Sequence, residues 1–145
     1  MLTDSTVMIR LCLSVLFGGM VGLERELHGR AAGLRTHIMV SLGSCLIMLT
    51  SLYVFAIYNK VASVDPSRIA AGVITGIGFL GAGTILRGGE GIRGLTTAAS
   101  LWVVAAIGLA VGIGFISAAT MTTALSLSVL FFLGRFEHRV LTSKG

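Results

Sequence analysis

The feature that most constrains this sequence is where it carries no charge. Thr36 to Tyr58, Ile69 to Leu86, Leu95 to Gly112 and Phe115 to Leu133 contain no Asp, Glu, Lys or Arg, and Val7 to Leu23 holds only Arg10. A helix needs roughly 17–25 mostly apolar residues to cross a bilayer, and each run meets that length. Hydrophobic residues make up 54% of the 145 and charged residues 12%, about half the ~25% of an ordinary soluble domain. Too little polar surface exists to cover a soluble core. The expected fold is therefore an all-α polytopic membrane helix bundle in a single transmembrane domain, residues 1–145, with about five spans near 7–23, 36–58, 69–86, 95–112 and 115–133. Four spans with a re-entrant last segment are the alternative, because the break at Ile113-Gly114 has no charge. The first run lacks a basic leader and a small-residue cleavage site, so it reads as a permanent helix rather than a signal peptide.

The net charge of +5 is explained by topology before any nucleic-acid partner is needed. With the N-terminus outside, the inner side holds Arg25, Arg30, Arg35, Arg87, Arg93, Arg135, Arg139 and Lys144. The outer side holds Arg10, Lys60 and Arg68. That distribution favours N-out, C-in by the positive-inside rule. It also places Tyr53 and Tyr58 toward the outer interface, and Phe131, Phe132 and Phe136 toward the inner one. Cys12 and Cys45 lie in apolar runs without metal-ligand spacing and read as small buried hydrophobes.

Glycines recur at four-residue spacing: Gly18 and Gly22, Gly72 and Gly76, Gly108 and Gly112. Such pairs let helix backbones approach closely. They serve either packing within one chain, the preferred reading for the third span, or a dimer face. Gly76-Ile77-Gly78-Phe79-Leu80-Gly81 matches a dinucleotide-binding fingerprint in letters alone. It lies in a membrane span, with no preceding strand and no acid at the required distance.

Two inner loops concentrate the polar chemistry. One runs from Glu24-Arg25-Glu26 through Arg30 to Gly33-Leu34-Arg35-Thr36-His37, the other from Arg87 through Glu90 and Arg93 to Gly94-Leu95-Thr96-Thr97. Each brings two arginines and a hydroxyl-bearing helix start together. Thr36, Thr96 or Thr97 could cap the helix, or the same places could bind an anion with help from arginine forks. The plainer reading is a set of basic loops in which Glu24 pairs with Arg35 or Arg93. The likeness of the loops suggests a parallel repeat of two hairpins. On the outer side, Asp65 is placed as an N-cap with Pro66 at the first helical position. Asp65 could instead pair with Arg10, which can also snorkel. Arg68 follows on the same side. The hydroxyls of the fifth span suit interhelical hydrogen bonds, and Trp102 is expected inside the bundle. No nucleophile–base–acid set is visible, and no carboxylate cluster suits magnesium. The reading is of a non-enzyme without a cofactor or a metal site.

The segments Gly22 to Glu26 (GLERE), Ala32 to His37 (AGLRTH), Asp65 to Ala71 (DPSRIAA), Gly76 to Arg87 (GIGFLGAGTILR) and Arg93 to Trp102 (RGLTTAASLW) resemble the MgtC/SapB family, over about residues 7–115. The resemblance implies a bacterial inner-membrane protein linked to growth at low magnesium and to survival of pathogens in macrophages. It also implies a regulator of other membrane systems, including the ATP synthase and phosphate uptake. Two departures stand out: Arg30-Ala31-Ala32-Gly33 replaces the usual Arg-Pro-Ala-Gly, and the chain stops at Gly145, without the soluble C-terminal domain of some members. The expectation is a homodimer in lipid whose inner site, Glu24, Arg35, Thr36, Arg87, Arg93, Thr96 and Thr97, meets membrane partners or a small anion. The rival function is an ion or small-solute transporter.

Overall fold

The computed structural model describes residues 2–61, 63–88 and 91–142, with side chains through residue 132 apart from Gly88. The tail positions Arg135, Phe136, His138, Arg139 and Lys144 therefore lie outside the described side chains. Five helices follow in order: α1 (Asp4–Leu27), α2 (Leu34–Tyr58), α3 (Ser67–Thr84), α4 (Leu95–Ile113) and α5 (Ile116–Thr142). The helical membrane bundle expected from the apolar runs is present. Helices α1, α2 and α4 are long and apolar enough to cross a membrane, and the apolar part of α5, Ile116–Phe132, is shorter. The third run departs most from expectation. Its helix starts on Ser67-Arg68 and stops at Thr84, and Leu86 belongs to a strand. Strands β1 (Leu86–Gly88) and β2 (Gly91–Arg93) form an antiparallel ribbon where an irregular loop was expected.

Local chemistry sets the helix ends. Thr3 caps α1, its Oγ1 accepting from the Thr6 amide at 3.3 Å, and Asp4 lies in the first turn, where an anion is favoured. Between α4 and α5, Gly114 takes φ +94°. Its amide donates to Val111 O at 3.0 Å, and the Phe115 amide donates to Ala110 O at 2.8 Å. This paired closure ends a helix and needs glycine at the left-handed position. The charge missing from this break arrives from α1. Arg10 Nη1 donates to Gly112 O at 2.7 Å, a cation at a helix C-terminus. Arg10 thus neither pairs with Asp65 nor stands alone.

Helix α2 presents one face to two glycine pairs, one from α1 and one from α4. A Cβ on Gly18 would sit 2.6 Å from Ser41 Cβ, and one on Gly22 would sit 2.8 Å from His37 Cβ. Further along the same face of α2, a Cβ on Gly108 would sit 2.8 Å from Ser44 Cβ and would overlap the Ser41 carbonyl. One on Gly112 would sit 2.6 Å from Met48 Cβ. These are backbone-level contacts of the kind small residues permit. They join α1, α2 and α4 around buried Phe17, Cys45, Leu49, Ile107 and Val111. Helix α3 is attached differently, through Val73, Ile77, Leu101 and Ala105. Its Gly81 lies 3.6 Å, measured from a built Cβ, from Ala98 on α4.

Gly72 and Gly76 meet nothing within 4 Å, which corrects the expectation that they pack within the chain. The α3 backbone is turned so that Gly81 faces α4 and the pair opens on a groove. The two hairpins are therefore not packed alike, and their connections also differ, a short link in one and a ribbon in the other. Cys45 is buried but Cys12 is exposed on the outer face of α1. Trp102 is 49% exposed, not internal, and Phe79 is 83% exposed. Large bare apolar side chains of this kind suit a lipid environment.

Candidate functional site

The end of the bundle holding the α1–α2 link and the ribbon carries the polar chemistry. Arg25 is 3% exposed, and its Nε donates to Glu24 Oε2. Glu24 Oε1 lies 3.1 Å from His28 Nδ1. That nitrogen instead makes its hydrogen bond to the Glu24 carbonyl oxygen, at 2.8 Å. Oε1 is buried without a hydrogen-bond partner. Glu24 therefore pairs with its neighbour and not with Arg35 or Arg93. Arg25 lies on the α1 face that Gly18 and Gly22 turn toward α2, and a guanidinium one residue away needs no ordered loop to reach the Glu24 carboxylate.

Helix α2 is capped from the preceding helix. Glu26 Oε2 accepts from the Leu34 amide at 2.9 Å. A carboxylate at a helix start satisfies an orphan N–H and opposes the dipole. The expected hydroxyl caps do not form. Gly33 and Gly94 are the cap residues of α2 and α4, and neither offers a side chain to cap its helix. Thr36, Thr96 and Thr97 fall inside the first turns. Gly94 has φ +92°, and a Cβ there would overlap the Thr84 carbonyl, so a threonine could not occupy the cap itself.

Behind this rim is a buried polar chain that joins α2 to α4. His37 and Ser100 are buried. His37 Nδ1 lies 2.8 Å from Gly33 O, and Nε2 lies 3.0 Å from Ser100 Oγ. Ser100 Oγ also lies 2.8 Å from Thr97 O. Carbonyl oxygens only accept, so Nδ1 is the protonated nitrogen facing Gly33. In the neutral ring Nε2 then accepts, and the single Ser100 proton serves either Nε2 or Thr97 O. Ser41, which both Gly18 and Gly108 approach, has a buried Oγ with no hydrogen-bond partner among the described residues.

The expected inner-site residues are only partly brought together. Arg35 and Thr36 are exposed and line an open polar pocket of about 570 Å³ with Arg30, Glu26 and Gly33. Neither Arg30 nor Arg35 has an ion-pair partner among the described residues. Arg87 pairs across the ribbon with Ile92, and Arg93 with Leu86. Successive strand residues point to opposite faces, so Arg87 and Arg93 lie on opposite faces of the ribbon. Thr96 is exposed, whereas Thr97 is buried. The sequence reading left Arg30, Glu26, His37 and Ser100 out of the site. The pairing of His37 with Ser100 joins residues 63 apart, which no local spacing indicates.

At the other end of the bundle, Asp65 Oδ1 accepts from the Ser67 amide at 2.8 Å and the Ser67 hydroxyl at 2.7 Å. It works as a cap, one residue further from the helix than expected, because Pro66 precedes the first helical residue. The two Ser67 hydrogen bonds hold its carboxyl below the usual range, with Arg68 adding to the effect. A depressed carboxylate stabilises the fold fully above its unfolded-state pKa, and that contribution is lost as pH falls through the folded value. The Asp65→Asn protein should therefore melt slightly below the parent at pH 7. The gap should narrow as the pH falls below the ordinary aspartate value of ~3.9, as read by thermal scans along an acid series.

Among the described residues no group of three or more His, Cys, Asp and Glu could hold a metal ion. The sequence profile of the MgtC family matches residues 11–139. "Putative magnesium transporter YhiD" of Escherichia coli K12 is 44% identical over 135 residues, covering 92% of this chain and 63% of its own. SapB of Bacillus subtilis is 41% identical over 116 residues, covering 77% and 50%. MgtC of Brucella abortus is 42% identical over 116 residues, covering 79% and 45%. The chain thus spans about half to two thirds of the length of these relatives. No solved structure matches it.

Proposed function

Because the chain belongs to the MgtC family, we propose that it is a multi-pass protein of the bacterial inner membrane, N-out and C-in, that regulates ion homeostasis without being an enzyme. Its working surface is the cytoplasmic end that holds Arg30 and Arg35, where it meets an anionic ligand or a partner membrane protein. The observation that carries this reading is the pair of guanidinium groups around an open polar pocket with no ion-pair partner among the described residues. Arginine without an internal partner keeps its fork free for a carboxylate or phosphate. The pocket rests on firm supports: Glu26 ties the link to α2, and the glycine pairs of α1 and α4 pack closely on one face of α2. The basic end is the one the positive-inside rule assigns to the cytoplasm. Magnesium limitation is the condition suggested by the name of the Escherichia coli relative. A role in virulence would depend on the host.

Rescue of a host strain lacking the gene tests this reading under magnesium limitation. The parent chain should restore growth. Arg30→Gln/Arg35→Gln should not, at equal membrane abundance. Arg35→Lys should rescue only in part, because an ammonium cannot form the bidentate fork. Full rescue by the double variant would remove the pocket from the function.

A further inference from the structure

The groove opened by Gly72 and Gly76 has an unexplained shape. It runs between α2 and α3 from Thr36 to Ile47 on one helix and from Ile69 to Leu80 on the other, with a volume of about 590 Å³ and an almost wholly apolar lining. Its floor is glycine: Gly43, Gly72 and Gly76 have no neighbour within 4 Å of a built Cβ. Each wall covers three helical turns. At 1.5 Å rise per residue that is about 16 Å, close to one leaflet of a ~30 Å hydrocarbon core. At one end the groove reaches Thr36, which also lines the polar pocket of Arg30 and Arg35. Two cations and one carboxylate border that pocket, and the carboxylate already accepts from the Leu34 amide.

We propose that the groove and the pocket form one seat for an anionic phospholipid, with an acyl chain along Gly43, Gly72 and Gly76 and the phosphate at Arg30 and Arg35. A leaflet-long apolar trough ending at two arginines matches a molecule with a tail of that length and a negative head. A soluble anion would use the pocket and leave the trough unexplained. A second copy of the chain would use the trough and leave the arginines unexplained. The inference rests on the anion branch of the proposed function and names its ligand class.

Native mass spectrometry of the full chain in mild detergent tests it, with phosphatidylglycerol and phosphatidylcholine of equal chain length as probes. Phosphatidylglycerol should be retained at least ~10-fold better. Arg30→Gln/Arg35→Gln should reduce it to the phosphatidylcholine level. Gly76→Leu and Gly43→Leu, which fill the trough without touching the arginines, should each displace it while leaving the melting temperature in place. Equal retention of both lipids overturns the proposal. So does undiminished phosphatidylglycerol binding by both leucine variants. Inorganic phosphate binding as tightly as the lipid assigns the arginines to a free anion, which sinks the lipid seat but leaves the proposed function standing. A lipid-free dimer broken by Gly76→Leu gives the trough to a second copy and likewise overturns it. Full rescue by Arg30→Gln/Arg35→Gln is a separate failure, that of the functional reading itself.

Discussion

Gly108→Leu should prevent the bundle from assembling. A Cβ at this position already overlaps the Ser41 carbonyl and stands 2.8 Å from Ser44 Cβ, and backbone cannot rotate aside as a side chain can. Overpacking in a core typically costs ~1–3 kcal/mol and sometimes more. Here the obstacle is main chain on a helix that α1 also holds at close range, so the expected loss is at or beyond ~3 kcal/mol. Gly76→Leu is the control. It adds the same side chain in the same sort of helix, but nothing lies within 4 Å, and the expected change is within ~0.5 kcal/mol. Thermal unfolding and size-exclusion profiles of the two variants in one detergent measure the contrast. Equal behaviour would mean that α4 does not pack on α2 at backbone distance.

Arg25→Met is the second large effect. Arg25 is 3% exposed and pairs with Glu24, whose side chain is 10% exposed. Removing one member of a buried pair leaves a desolvated charge and typically costs ~3–5 kcal/mol. Glu24→Gln should be milder, and Glu24→Gln/Arg25→Met should recover part of the loss, because the stranded carboxylate has gone. A double-mutant cycle built from thermal unfolding reads this coupling. Strict additivity would show that the two groups do not depend on each other, despite their contact.

The helices were legible because uncharged runs of bilayer length admit few other structures. Helix ends were less so. Thr36, Thr96 and Thr97 were plausible caps by residue type, but close approach of the Thr84 carbonyl requires glycine at 94, and Glu26 reaches Leu34 across a turn of chain. The break at Gly114 looked unsupported until Arg10, 102 residues from Gly112, closed it. The glycine pairs illustrate the limit best. All three have the same spacing, yet two face α2 and one faces an open groove, since which way a helix is rotated is decided by its neighbours. The basic loops of the sequence, 24–37 and 87–97, could be grouped from charge alone. Their division into a buried Arg25, a pocket pair and two opposite ribbon faces is a tertiary fact, as is the contact between His37 and Ser100.

Regulation and transport part most clearly in magnesium flux. The full chain would be reconstituted into liposomes loaded with a magnesium-sensitive dye, beside its Arg35→Gln variant and empty vesicles. The glycine-closed contact of α1, α2 and α4 predicts entry no faster than in empty vesicles for either protein. Saturable magnesium entry through the parent chain, lost in Arg35→Gln, would contradict the account and make the pocket the mouth of a transport path.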